Sequence, residues 1–184
     1  MNKNFGFTLI ELMVVIVMFA ILMAIAIPSY QRYMEKRDLS VAKQGALRIA
    51  NELERFKSKN FSYKGFDATF AYPTYDNATG ELYLPAGSTV ANAKYKLTLV
   101  DLEEKAALTI LRDNEGKETE DSQSIRGLGW VIKVERAIGS DTLPKQPNAY
   151  DLLLNSNGVR CMTKTPNIVK DFTGCGKSAD TEDW

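Results

Sequence analysis

Histidine is absent from this sequence of 184 residues. That removes the commonest general base and the commonest metal ligand. The chain also lacks a Gly-rich phosphate loop and a nucleophile elbow. Cysteine is scarce: Cys161 and Cys175 are the only two, and neither has a metal-ligand companion nearby. No sign of charge dominates, since 23 basic residues face 23 acidic ones. A global basic field that would point to nucleic acid is therefore missing. These absences lead us to expect no enzyme activity, no cofactor and no metal site.

What is present begins at the N-terminus. A short polar leader with one charge, Lys3, ends at Gly6. From Phe7 to Ile27 the residues are nearly all apolar. As a helix rising about 1.5 Å per residue, that stretch just crosses a hydrocarbon core of roughly 30 Å. Glu11 is the only charge within it. A carboxylate inside an apolar helix is costly, so it is read as functional and its partner is sought. If the chain is cut after Gly6, the new amine of Phe7 lies four residues before Glu11, on the same helix face. It also adds to the positive end of the helix dipole. Glu11 would then neutralise its own terminus or that of a neighbouring helix. The second option turns an anchor into an assembly element.

Gly6 followed by Phe7-Thr8-Leu9-Ile10-Glu11-Leu12-Met13-Val14-Val15 resembles the N-terminus of type IV pilin precursors. The resemblance covers residues 1 to about 33, and the short leader with Phe after Gly resembles the type IVa class. It implies that a membrane aspartyl peptidase cuts after Gly6 and methylates the new amine on Phe7. It implies that Glu11 guides assembly and that Pro28 bends the long helix. Two other readings of the stretch stay open. One is a plain anchor helix. The other is a secretory signal, because Ala24-Ile25-Ala26 has the small-x-small form behind a positive Lys3. Against the latter, Glu11 interrupts the apolar run and Ile27-Pro28 follows the supposed cut.

Beyond Pro28 the pattern stays helical. Leu39, Ala42, Ala46, Ile49, Ala50, Leu53 and Phe56 recur at steps of three and four, with Lys36, Lys43, Glu52, Arg55 and Lys59 elsewhere on the wheel. The spacing predicts one helix from about 7 to 59, kinked at Pro28 where one backbone hydrogen bond is lost. Residues 60–93 read as a loop punctuated by Gly and Pro. It is rich in aromatics: Phe61, Tyr63, Phe66, Phe70, Tyr72, Tyr75 and Tyr83. Such a loop is expected to pack on the domain, its aromatics covering the core.

Four alternating segments follow, each with one buried face: Tyr95, Leu97, Leu99; Ala106, Leu108, Ile110; Trp130, Ile132, Val134; and Tyr150, Leu152, Leu154. Asn157-Gly158 reads as a two-residue hairpin turn into Val159-Arg160-Cys161. Asp113 to Ser124 is acidic and reads as a solvated loop. Residues after Cys161 are polar and turn-rich, ending in Trp184.

The expected fold is α+β: a long kinked N-terminal helix on a four- to five-stranded antiparallel sheet, with a disulfide-closed C-terminal loop. Residues 1–6 are the leader, 7–32 the membrane and assembly half of the helix, and 33–184 the globular domain, which is long enough to bury a core. Cys161 and Cys175 lie beyond the anchor, and outside the cytoplasm such a pair reads as one disulfide rather than two buried thiols.

The resemblance implies a structural subunit of a type IV pilus. Before assembly it would sit in the bacterial inner membrane as a single-pass protein with its C-terminal domain in the periplasm, and afterwards in the filament. Its partners would be other pilin subunits, the prepilin peptidase and methyltransferase, the inner-membrane assembly machinery and membrane lipid. Glu54-Arg55-Phe56 with Asn60-Phe61-Ser62-Tyr63 resembles the end of the long helix in minor pilins, acting in assembly, adhesion, aggregation or DNA uptake. The alternatives are a type II secretion pseudopilin, the major pilin, and a plain anchored periplasmic protein. A nucleic-acid partner is not supported by overall charge. It would need folding to gather Arg160, Lys164, Lys170 and Lys177 into a stripe.

Overall fold

The computed structural model describes residues 7–139, 142–177 and 179–184. Helix α1 spans Leu9–Asn60, about 78 Å at the standard rise. Pro28 lies inside it, and helix continues on both sides, as one element rather than two. Every residue from Phe7 to Tyr33 is exposed. Burial begins where the apolar stripe begins. Ala42, Gly45, Ala46, Ile49, Ala50 and Leu53 are buried, while Leu39 and Phe56 are half-buried. Small residues on this stripe bring the helix axis close to the sheet; a Cβ on Gly45 would already sit 3.3 Å from Leu84.

The described residues form a six-stranded antiparallel sheet in plain chain order. Its strands are β1 (Glu81–Leu84), β2 (Tyr95–Asp101), β3 (Trp130–Arg136), β4 (Asp151–Asn155), β5 (Arg160–Thr163) and β6 (Thr181–Asp183). The register places Leu97 opposite Val134, Leu99 opposite Ile132, and Ile132 opposite Leu154. These side chains alternate onto the face that α1 covers, joined by Leu82, Leu84 and Leu152. Each fully buried side chain of this kind contributes about 1.5–3 kcal/mol. On the other face Val100, Val131, Leu153, Cys161, Val169 and Cys175 form a second, smaller cluster. A 3-10 turn (Ile168–Asp171) and the Cys161–Cys175 disulfide close over it. The chain's end is tied down as well: Trp184 Nε1 donates to Cys161 O at 3.0 Å, and Lys43 of α1 lies over its ring.

Four expectations need correction. The sheet has six strands, not four or five, because β1 and β6 carry too little pattern to be read. β1 is four residues between Gly80 and Pro85, and β6 is Thr-Glu-Asp, held by backbone pairing to β5. Conversely, Ala106, Leu108 and Ile110 do not form a strand. β2 stops at Asp101, whose Oδ2 accepts from the amides of Glu103 and Glu104 and turns the chain. The segment then bonds to the aromatic loop instead: Gly65 N donates to Leu108 O, and Thr109 Oγ1 to Phe66 O. The acidic stretch contains a short helix, α2 (Glu120–Ser124), capped by Thr119. Last, the β4–β5 turn is longer than two residues. Gly158 N donates to Asn155 O and Asn155 N to Val159 O, with Gly158 at φ +86°. That is a type I turn followed by a left-handed glycine, the usual three-residue hairpin loop.

The aromatic loop is packed, as expected. Tyr63, Phe66, Tyr72 and Tyr75 are buried, whereas Phe61 and Phe70 are exposed. Gly80 is required in it, since a Cβ there would lie 2.1 Å from Leu99 O.

Candidate assembly site

The first turn of α1 is built around two side chains. Thr8 is the N-cap, in extended conformation, and its Oγ1 accepts from Glu11 N at 3.3 Å. Glu11 Oε2 returns the contact, accepting from Thr8 N at 3.0 Å and from Thr8 Oγ1 at 2.9 Å. Two of the amides that a helix start leaves unpaired are thereby satisfied by reciprocal bonds. The geometry draws the Glu11 carboxylate towards the N-terminus of its own helix. Phe7 precedes the cap and is 89% exposed. Gly6 lies outside the described residues. The sequence reading seeks a partner for Glu11 only in an amine and passes over Thr8. Yet Thr8-Leu9-Ile10-Glu11 has the Thr-x-x-Glu spacing of a capping box, so the signal was there.

Around this turn the helix is an uncovered apolar rod down to Pro28 and Tyr33. It carries one span long and apolar enough to cross a membrane. A rod of that kind is stable in lipid or among other helices, not in water.

The structure sets three of the four basic residues named above at separate points of the sheet. Arg160 and Lys164 flank β5 at opposite ends, about 13 Å apart along a strand. Lys164 lies over the Tyr150 ring. Lys170 lines a groove of about 430 Å³ on the outer face of the sheet with Lys96 and Lys133. Those two lysines are already paired, to Glu81 at 2.9 Å and to Glu135 at 3.1 Å.

Comparison with known proteins adds two family profiles. The prokaryotic N-terminal methylation motif matches residues 1–27. The profile of the type IV minor pilin ComP, DNA uptake sequence receptor, matches residues 28–120, about half of the chain. The chain belongs to the type IV pilin family, through the ComP profile. Among similar curated proteins, the type II secretion system core protein G of Pseudomonas aeruginosa is 38% identical over 77 residues, 40% of this pilin and 54% of that protein. The type IV major alpha-pilin of Moraxella bovis is 45% identical over 58 residues, 32% of each chain. The type IV major fimbrial protein FimA of Dichelobacter nodosus is 36% identical over 92 residues, 49% of this pilin and 54% of FimA. The pilin thus spans about half or less of the curated relatives it matches. No solved structure matches it.

The pilin family is one of structural proteins, and the exposed apolar rod of this chain fits a membrane-anchored member of it. In this pilin the capping box stands at the tip of that rod. The covered half of α1 fastens the sheet to it.

Proposed function

We propose that this chain is a minor pilin of a type IV pilus, serving in DNA uptake. The observation that carries the reading is the match over residues 28–120 to the minor pilin ComP, described as a DNA uptake sequence receptor. The matched stretch takes in the sheet-bound half of α1, the aromatic loop, β1, β2 and the acidic stretch as far as residue 120.

In this reading, prepilin peptidase removes residues 1–6 by cutting between Gly6 and Phe7, and the Phe7 amine is methylated. Residues 7–32 hold the subunit in the inner membrane while residues 33–184 lie on the periplasmic side. On extraction, the apolar rod exchanges lipid for other apolar rods and loses little solvation free energy in doing so. Glu11 pairs with the amine of a neighbouring subunit and sets the register along the axis. Pro28 bends the helix between its packed and membrane halves. The similarity to a type II secretion core protein and to major pilins sets the two competing roles.

Deleting the coding sequence separates all three. The proposed role predicts that surface filaments persist while DNA uptake is lost, and a complementing copy restores it. Loss of every filament would make this the major pilin. Intact filaments and uptake with failed protein secretion would make it a pseudopilin.

A further inference from the structure

Phe61 caps α1 in the left-handed conformation, at φ 59° and ψ 6°. Helices commonly end this way with glycine, because a side chain is disfavoured there. A bulky residue in that region is strained and calls for a cause. The other phenylalanine at positive φ, Phe172, has one: it packs on the second cluster, with Lys133 and Lys105 over its ring. Phe61 has no such packing. Its side chain stands 89% exposed.

The surroundings are basic. Lys57 and Lys59 occupy the last turn of α1, and Lys64 follows three residues after Phe61. Arg126 and Leu128, both exposed, sit on a neighbouring loop. The two loops are locked together. Tyr63 N donates to Gly127 O at 2.8 Å, Ser62 Oγ donates to the same oxygen at 3.2 Å, and a Cβ on Gly127 would lie 2.4 Å from Lys64 N. The patch is therefore preorganised.

Nearby acids are already engaged. Glu54 accepts from Tyr63 Oη and Trp130 Nε1, Glu52 pairs with Arg55, and Glu118 pairs with Lys64. Among the described residues, neither Lys59 nor Arg126 has a carboxylate at ion-pairing distance. The helix C-terminus would repel an anion through its dipole. Here Phe61 N caps Lys57 O and Asn60 Nδ2 caps Phe56 O, which blunts that field.

We propose that this patch is where the chain touches DNA, with Phe61 as a stacking platform for a base and Lys59 and Arg126 on the phosphates. Exposed aromatics set among cations are how proteins hold single strands without sequence preference, each unpaired base stacking on a ring. The proposal rests on the DNA-uptake reading and assigns residues to it. The strain at Phe61 is retained for binding rather than for folding.

The test uses the full chain in detergent micelles. Fluorescence anisotropy follows its binding to labelled DNA, single-stranded and duplex, over a range of salt. Phe61→Gly should raise the melting temperature by relieving the left-handed strain, yet weaken DNA binding about tenfold. Lys59→Gln combined with Arg126→Gln should reduce the salt slope by about two. Lys177→Gln, on the C-terminal loop, should bind as the parent does. If the parent binds DNA and the patch variants bind equally well, the patch assignment is wrong while the uptake reading stands. If Phe61→Gly melts lower than the parent, the ring is structural and the assignment fails. If the parent binds no DNA, both fall.

Discussion

Glu11→Leu should remain in the membrane and be cut after Gly6 as the parent is, yet its incorporation into filaments should fall by about tenfold or more. Glu11 is the only charge between Phe7 and Ile27, and its carboxylate accepts two hydrogen bonds from Thr8. Leucine would suit the apolar surroundings better and would leave the Thr8 Oγ1 cap on residue 11's amide in place. The anchor is therefore not weakened, and the Gly6–Phe7 bond lies outside the pair. What disappears is the anionic partner for a neighbouring amine. Removing one member of a charge pair shielded from water costs a factor well above ten in binding. Glu11→Asp should be intermediate, because the carboxylate remains on a shorter arm. Immunoblots of membrane and sheared-filament fractions measure this directly. Parental amounts of Glu11→Leu in filaments would rule out charge pairing as its role.

The largest effect on stability should come from Arg136→Ala, about 3–5 kcal/mol. Arg136 ends β3 with its side chain buried, and its Nε meets Asp151 Oδ1 at 2.9 Å. It also donates to Asp151 Oδ2 and to the carbonyls of Ala149 and Lys164, while its own amide donates to Asp151 Oδ1 at 2.7 Å. One guanidinium thus ties β3, the approach to β4 and the end of β5. Truncation would leave Asp151 charged and buried, and three backbone carbonyls unserved, including Pro147 O. At roughly 2–4 °C per kcal/mol for a domain of this size, the melting temperature should drop by about 10 °C. Replacing both partners, as Arg136→Met with Asp151→Leu, should lose much less, since an apolar pair leaves no orphaned charge. A single variant that melts within a degree or two of the parent would show that the ion pair is not a structural tie.

The elements with long, regular patterns were legible in the sequence. The α1 stripe from Ala42 to Leu53 and the alternations at Leu97–Leu99, Ile132–Val134 and Leu152–Leu154 are where they were expected, and all face one core. Patterning failed where short segments are held by backbone pairing. β6 offers no apolar residue at all, and β1 only Leu82 and Leu84 in a four-residue run. It also misled at Leu108, which is buried in a loop that meets Gly65 and Phe66 rather than a strand partner.

Buried polar residues were not legible. Asp38 sits inside the helix face, held by Gln146 Nε2 at 2.7 Å from 108 residues away, and Arg136 occupies a place the alternation reserves for an apolar side chain. Such partners are remote in sequence, so no local pattern announces them. At the assembly end Glu11 was legible because a charge in an apolar run stands out. Thr8 was overlooked, although its Thr-x-x-Glu spacing to Glu11 is itself a capping-box signal. Phe61 gave no sign of its left-handed backbone, which residue type disfavours.

The central claim is that this chain is a processed, minor component of surface filaments. Quantitative mass spectrometry of sheared, washed filaments tests it most directly. The account predicts peptides of this chain at a small fraction of the main subunit, with an N-terminal peptide that begins at Phe7 and carries one added methyl. Absence of the chain from filaments, or a mature N-terminus at Met1 or Ile27, would contradict it.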